Sequence, residues 1–163
     1  MFMFPLGSMA FWILNKINSS KLYHVIGCLI VRTLGDGVYY HYTDRYSADQ
    51  IKKSTKINQS TNKKADALHG LGVYLTMLDP QHTLEKLAKN NFDGQNLVKL
   101  EEGKFEAVFE IELSKSTVNA HTKSRDIHVY PGDLYFESAD VKSVKLHHLD
   151  KDGKVTWTIV VKY

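Results

Sequence analysis

The clearest periodic pattern in the chain lies in residues 104–113, KFEAVFEIEL, where apolar and polar residues alternate. Successive side chains of a β-strand point to opposite faces, so this alternation indicates a strand with one face against a core. The other face is predicted to carry Glu106, Glu110 and Glu112. The predicted buried face consists of Phe105, Ala107, Phe109, Ile111 and Leu113.

Two shorter segments upstream are also predicted to be strands. The first is VYYHYT, Val38–Thr43, which is rich in the β-branched and aromatic residues that favour strands. One face of this strand carries Tyr39, His41 and Thr43. The second is Val73–Thr76, with one face that carries Gly72 and Tyr74.

The carboxyl-terminal half is predicted to be mostly antiparallel sheet. IHVY and DLYF form short strands separated by Pro131 and Gly132. VKSVKLHHL is joined to KVTWTIVV by the turn Asp150–Gly153, which predicts a hairpin.

Two short helices are predicted in the amino-terminal half. Ser47 and Gln50 have capping-box spacing, which predicts a helix from about Ser47 to Lys53. Asp79 followed by Pro80 offers an N-cap with proline at the first helical position. The buried side of that second helix is predicted to consist of Leu84, Leu87 and Ala88. Two helices followed by a run of strands indicate an α+β fold rather than a Rossmann alternation.

A length of 163 residues suits one domain, and we expect that domain to cover residues 35–163. Residues 1–34 form an amino-terminal extension of uncertain structure. They include an apolar run in which Cys28 is expected to be packed. The first fourteen residues are apolar but lack the basic start of a secretory signal and the length of a membrane span, so no stable membrane insertion is expected. A cytoplasmic protein is favoured, with a secreted effector left open.

Charge and cysteine content limit the function classes. The formal net charge is +3 and the lysines are scattered among acids, which gives weak support for nucleic-acid binding. A single cysteine excludes an internal disulfide and any cysteine-based metal cage. His147 and His148 are adjacent on a predicted strand and would face opposite ways, so no metal site is expected.

Three separated motifs together suggest a function. They are HYT at His41–Thr43, GVYLT at Gly72–Thr76 and PGDLYFES at Pro131–Ser138. In this order and at these distances they resemble the ADP-ribosyltransferase superfamily, in the His-Tyr-acid branch that includes diphtheria toxin and the poly(ADP-ribose) polymerases. The closest likeness is to the HYD1-signature group of toxin-like domains. The resemblance covers roughly Val38 to Tyr163, and its most specific stretches are YYHYTD, SADQI and GLGVYLTMLDP.

The resemblance implies a split antiparallel β-sheet with small flanking helices and a site for NAD. It implies that His41 hydrogen-bonds the ribose hydroxyls of NAD and that Tyr74 stacks on the nicotinamide ring. Gly72, which has no side chain, would let the backbone approach the carboxamide. The remaining residues expected to bind NAD are Tyr42, Thr43 and Thr76.

The resemblance also implies a third catalytic element, an acid that would bind the nicotinamide ribose and stabilise the oxocarbenium-like state as nicotinamide leaves. We favour Asp133, which comes just before the LYF strand, over Glu137. Both would share a face if the strand were extended from 133 to 137. Most of the superfamily has glutamate here, so an aspartate is a departure from the common pattern.

The expected activity is transfer of ADP-ribose from NAD to an acceptor with release of nicotinamide. A protein acceptor is favoured and a nucleic-acid acceptor remains open. If water is the acceptor, the chain is an NAD glycohydrolase. A non-catalytic module that binds ADP-ribose or NAD is the alternative from another class, and an RNA 2′-phosphotransferase is disfavoured by the absence of clustered arginines.

Overall fold

The computed structural model describes residues 36–62, 69–92, 96–120 and 124–163. The predictions for the amino-terminal extension, for Cys28 and for the boundary at residue 35 lie outside this range. In chain order the elements are β1 (Asp36–Thr43), α1 (Arg45–Ser54), β2 (Lys56–Ile57), β3 (Val73–Leu75), α2 (Leu84–Asn91), α3 (Asn96–Glu101), β4 (Ala107–Ser114), a 3₁₀ turn (Lys115–Thr117), β5 (Asn119–Ala120), β6 (His128–Tyr130), β7 (Leu134–Tyr135), β8 (Val141–Leu149) and β9 (Val155–Lys162).

The four long strands form the main antiparallel sheet, in the order β1-β4-β8-β9. The alternation is confirmed for Ala107, Phe109, Ile111 and Leu113 of β4, which are buried in one cluster. Phe105, which precedes the strand, and Val108 are instead buried in a cluster on the opposite face, so the prediction that one face alone is buried was wrong at the start of β4. The predicted hairpin between β8 and β9 is also confirmed, and its turn is closed by a hydrogen bond from the Gly153 N–H to the Asp150 carbonyl.

The short strands form two smaller sheets, with the orders β3-β6-β5 and β2-β7. Single backbone pairs join these pieces: Tyr40 pairs with Thr76, and Ser60 pairs with Gly72. The first pair joins the small three-stranded sheet to β1 of the main sheet. The predicted α+β class with a split antiparallel sheet and small helices is therefore confirmed.

Both predicted helices form, but their starts differ from the prediction. Helix α1 begins at Arg45, and its N-cap is Asp44, whose Oδ1 accepts a hydrogen bond of 2.7 Å from the Ser47 N–H. Ser47 was therefore the wrong cap, because the carboxylate three residues earlier takes the free amide.

The predicted start of the second helix at Asp79-Pro80 was also wrong. Helix α2 begins at Leu84 with Thr83 as its N-cap, since the Thr83 hydroxyl accepts from the Lys86 N–H at 3.3 Å. The Asp79 carboxylate instead accepts from the Gln81 N–H and forms a local turn. The predicted buried side is confirmed, with Leu87 and Ala88 fully buried and Leu84 packed against them. Helix α3 was not predicted.

The main sheet has an apolar cluster on each face. One cluster is built from the inward face of β4, helix α1 and the smaller sheets, and it includes Phe109, Phe136 and Leu146. The other packs helix α2 against the opposite face through Leu87 and Phe105. Burial on both faces holds the edge of β1 in place beside β3, which is where the motif residues His41 and Tyr74 lie.

Candidate active site

The strands that carry His41 and Tyr74 meet at one backbone pair. The Tyr40 N–H donates to the Thr76 carbonyl at 2.7 Å, and the Thr76 N–H donates to the Tyr40 carbonyl at 3.0 Å. Among the described residues this is the only backbone pair between β1 and β3. Alternate residues of a strand direct their N–H and C=O groups to the same edge, so those of Tyr42 point toward β3 as those of Tyr40 do. We call the space between Tyr42 and Tyr74, beyond the closed end at Tyr40 and Thr76, the fork.

His41 bridges the fork with its side chain. Its Nδ1 lies 3.0 Å from the carbonyl oxygen of Tyr74. A carbonyl can only accept, so Nδ1 carries the proton and Nε2 presents a lone pair. Burial lowers the pKa of His41, while the hydrogen bond to Tyr74 acts in the opposite direction. The ring is therefore neutral at pH 7, with Nε2 as an acceptor for a hydroxyl group.

The Tyr74 side chain is held by hydrogen bonds at its hydroxyl and by a neighbouring ring. Its hydroxyl accepts from the His69 N–H at 2.7 Å and donates to the Gly70 carbonyl at 3.0 Å. The His69 ring lies beside the Tyr74 ring, with centroids 6.2 Å apart. The tyrosine ring is thus a fixed, half-buried aromatic surface. His69 was not predicted as a site residue, because a histidine in a loop is usually solvated, and only the folded chain shows its contact with Tyr74.

Gly72 has a structural reason to be glycine. A Cβ built at this position would lie 2.3 Å from the Tyr130 carbonyl oxygen, which is backbone of the neighbouring strand β6. The N–H and C=O of Gly72 are both paired with Ser60, at 3.4 and 2.8 Å. Close packing of β3 on β6 therefore requires glycine here, whereas the expected contact of its backbone with a carboxamide would compete with Ser60.

The Thr76 side chain is engaged within the protein. It is 1% exposed, and its hydroxyl donates to Asp126 Oδ2 at 2.7 Å and accepts from the Leu78 N–H and from Asn90 Nδ2, each at 3.2 Å. These three bonds use all of the hydrogen-bonding capacity of a hydroxyl. The Thr76 side chain thus supports the closed end of the fork, and its role as an NAD contact stays a prediction.

The other two residues expected to bind NAD are also buried. The Tyr42 hydroxyl donates to the Leu78 carbonyl at 3.0 Å, and its ring packs on Phe105 in the cluster under α2. Thr43 is 7% exposed. Side-chain contact of Tyr42 with a ligand would need this packing to open, so the groups of Tyr42 that face the fork are those of its backbone.

The acid Asp133 lies in the turn between β6 and β7. Its Oδ1 accepts from the Gln59 N–H at 2.9 Å, and its Oδ2 lies 3.3 Å from Lys56 Nζ. These two hydrogen bonds, with that of Gln59 the larger cause, lower the pKa of the Asp133 carboxyl. The carboxylate is therefore ionised at pH 7. The predicted position just ahead of the strand is confirmed, since β7 begins at Leu134.

Glu137 is arranged differently from the prediction. Strand β7 ends at Tyr135, and residues 136–137 form a turn. The premise that an extended strand keeps Asp133 and Glu137 on one face was therefore wrong, and Glu137 is exposed. The turn follows from the tight connection to β8, which begins at Val141.

A chain of backbone contacts links Asp133 to the fork. Asp133 binds the Gln59 amide, and the next residue, Ser60, pairs with Gly72, two residues before Tyr74. On its other side Asp133 follows Tyr130, which is the register partner of Val73. These contacts place the acid near the amino-terminal end of β3, although 59 positions separate Asp133 from Tyr74 in sequence.

The sequence profile of one protein family, described as HYD1 signature containing ADP-ribosyltransferase, matches residues 39–137. This match covers more than half of the chain and includes His41, Tyr74 and Asp133. The chain belongs to this family. It is accordingly a transferase of the ADP-ribosyltransferase class, with a toxin-like domain. Searches of curated proteins and of solved structures gave no match.

Within this ADP-ribosyltransferase domain, His147 and His148 have separate partners. His147 binds Glu110 Oε2 at 3.1 Å and the Thr158 hydroxyl at 2.7 Å. His148 stacks on Trp157 with ring centroids 3.9 Å apart. The prediction of opposite faces is consistent with these separate partners, and the pairing of β4 with β8 brings the Glu110 carboxylate beside His147. The described residues hold no group of three or more histidine, cysteine or carboxylate side chains that could bind a metal.

In the part of the chain that the structure describes, no helix has the length and hydropathy needed to cross a bilayer.

Proposed function

We propose that this domain cleaves NAD and transfers its ADP-ribose unit to a protein side chain, with His41, Tyr74 and Asp133 as the residues that act on NAD. The observation that carries the proposal is the fork, where the His41 side chain bonds the Tyr74 carbonyl and keeps Nε2 as an acceptor, while two further hydrogen bonds fix the Tyr74 hydroxyl. The family match supports the transferase class, and the use of NAD follows from the chemistry of that class.

The nicotinamide would be bound at the fork. Its ring is flat and, in NAD, cationic, so it gains by stacking on the electron-rich face of Tyr74. Its carboxamide has one donor and one acceptor group that match the N–H and C=O of Tyr42, which point toward β3. This arrangement leaves the pairing of Gly72 with Ser60 intact. The role first expected of Gly72 thus passes to the backbone of Tyr42.

The ribose groups would be bound by His41 and the acid. The lone pair of His41 Nε2 accepts a hydrogen bond from a ribose hydroxyl, which requires the neutral ring that burial maintains. The ionised Asp133 carboxylate accepts from a hydroxyl of the nicotinamide ribose and stabilises positive charge that develops on that sugar. NAD would be held bent between these two contacts.

In the reaction, the bond between the nicotinamide nitrogen and the ribose carbon breaks, and its electron pair leaves with nicotinamide. The acceptor nucleophile then forms a bond to the same ribose carbon and releases its proton. The protein contributes by fixing the sugar and the leaving ring in one geometry and by placing negative charge where positive charge develops.

The test is nicotinamide release from NAD by the purified chain, measured together with transfer of labelled ADP-ribose to protein. Tyr74→Ala should lower the rate by about 10- to 100-fold, as expected for loss of a stacking contact. Asp133→Asn should lower it by about 100-fold or more, because the developing charge loses its carboxylate. Glu137→Gln should keep the wild-type rate.

Two variants serve as matched controls. Tyr46, which is 75% exposed, and Asp49, which is exposed on α1, offer the same chemical changes away from the fork. Tyr46→Ala and Asp49→Asn should therefore behave as wild type. Loss of activity in Glu137→Gln with activity retained in Asp133→Asn would reverse the assignment of the acid.

The same assay separates the alternatives. Nicotinamide release without label on any protein or nucleic acid would make the chain an NAD glycohydrolase. Binding of NAD without release of nicotinamide would make it a binding module. Label on added nucleic acid rather than on protein would change the proposed acceptor.

A further inference from the structure

Lys56 is the charged side chain that contacts Asp133. It lies on β2 opposite Tyr135 of β7, and its Nζ is 3.3 Å from Asp133 Oδ2 and 5.4 Å from the centroid of the Tyr135 ring. About a quarter of each charged side chain is exposed, 28% for Lys56 and 26% for Asp133. The pair is thus partly shielded from water, and the aromatic ring limits where the ammonium can move.

One short segment holds both oxygens of the carboxylate. The Gln59 N–H donates to Oδ1 and Lys56 Nζ donates to Oδ2, so two residues three positions apart bind the Asp133 carboxylate together. The ladder between β2 and β7 has only two residue pairs. A ladder this short fixes the preceding turn weakly, and the two contacts with Asp133 are what orient its side chain.

The orientation matters more for aspartate than for glutamate. An aspartate carboxylate is one bond closer to the backbone, so it has fewer rotamers with which to reach a ribose hydroxyl. A rigid second contact is the usual way to hold such a group in its working geometry.

We propose that Lys56 is a positioning residue for the transfer reaction, which together with Gln59 holds the Asp133 carboxylate in the orientation that binds the ribose. This inference rests on the proposed function. Neither the spacing of the three motifs nor the resemblance pointed to Lys56, which is the first residue of a two-residue strand.

Three described groups act on or lie beside the carboxylate. The Gln59 N–H is the larger cause of the lowered pKa of Asp133, and Lys56 adds to it through its hydrogen bond and its charge. The third is Tyr135, whose ring lies near the ammonium. Removing Lys56 therefore moves the pKa of Asp133 upward but leaves the contribution of Gln59 in place.

The experiment compares wild type with Lys56→Met, Lys56→Arg and Lys53→Met. Methionine keeps the length of the side chain and removes the charge, and arginine restores it. Lys53 is exposed on α1 three residues away and controls for the loss of one positive charge. The pH dependence of kcat/KM for nicotinamide release is measured for each, with folding checked by circular dichroism.

The acid limb of the profile should move to higher pH in Lys56→Met, return toward wild type in Lys56→Arg and stay unchanged in Lys53→Met. A merely structural role would lower the rate at every pH without moving the limb. If Lys56→Met is too slow to profile, titration of the Asp133 carboxyl by ¹³C NMR in the same variants gives the answer directly.

The possible failures are distinguishable. An active wild type whose acid limb and carboxyl titration are the same in folded Lys56→Met would overturn the role of Lys56 and leave the proposed function standing. A folded wild type that releases no nicotinamide would overturn the proposed function, and with it any role of Lys56 in transfer.

Discussion

Replacing Thr76 by valine tests whether this residue supports the fork or contacts NAD. Valine keeps the shape of the buried side chain but removes the hydroxyl, which has Asp126, Leu78 and Asn90 as partners. Loss of the bond to the Asp126 carboxylate costs on the order of 1.5 to 3 kcal/mol, and loss of the bond from the Leu78 amide about 0.5 to 1.5 kcal/mol.

Two features reduce this cost. Asn90 keeps hydrogen bonds to the Asn91 side chain and to the Asp126 carbonyl, both at 2.9 Å. The Asp126 side chain is 29% exposed, so water replaces part of the lost contact. We therefore expect Thr76→Val to lower the free energy of unfolding by about 2 kcal/mol.

The assay is urea unfolding of wild type, Thr76→Val and Thr76→Ser, followed by NAD binding to each folded protein. Serine keeps the hydroxyl and loses one buried methyl group, which costs about 1 kcal/mol. Valine should thus be the more destabilising change although it preserves volume better. The Kd for NAD of the valine variant should stay within about threefold of wild type, a difference below 1 kcal/mol. A stable Thr76→Val protein that no longer binds NAD would refute this reasoning and make Thr76 a ligand contact.

Three further predictions concern the same part of the fold. Gly72→Ala should destabilise the domain by about 2 kcal/mol or more in urea unfolding, because its Cβ meets the Tyr130 backbone; unchanged stability would show that the strands can separate freely. Burial lowers the pKa of His41, so the folded protein takes up a proton on this ring less readily than the unfolded chain does. The free energy of unfolding is therefore unaffected by this titration above pH 6.5 and falls as the pH drops below 6.5. This pH dependence, measured by urea unfolding, should be weaker in His41→Asn. Asp44→Ala should cost about 1 to 2 kcal/mol by thermal unfolding, since it removes the cap of α1 and the 2.6 Å ion pair with Lys104. Desolvation raises the pKa of Asp44, but the hydrogen bonds with Lys104 and Ser47 outweigh it and lower this pKa to about 2. The stabilisation by Asp44 is therefore complete above pH 3.8, the ordinary pKa of an aspartate, and should disappear as the pH falls through about 2.

The strands of the main sheet could be predicted because their signal is local. A side-chain period of two needs no knowledge of the rest of the chain, and residues 104–113 follow it except at Val108. The same pattern correctly put His147 and His148 on opposite faces. Helix starts were less predictable, since Asp44 and Ser47 are both good caps and only the folded backbone decides which one meets the free amide.

The candidate site also has a part that the sequence predicted and a part that it did not. His41, Tyr74 and Asp133 were named from motifs, whereas the spatial link between the acid and the fork depends on the pairing of β2 with β7 and of Ser60 with Gly72. The roles of Thr76 and Tyr42 could not be read from sequence, because a side chain next to a motif residue can face either the ligand or the core. Packing against helix α2 places the Tyr42 side chain in the core.

By itself the sequence determined the α+β class, the alternating faces of the long strands and the three motifs of the family, because each depends on residues close together in the chain. Only the tertiary structure decided which polar groups meet: the His41 ring with the Tyr74 carbonyl across 33 positions, and the Lys56 ammonium with Asp133 across 77. Such contacts are set by the register between strands. A strand of only two or three residues is too short for its pattern of hydrophobic and polar residues to determine that register.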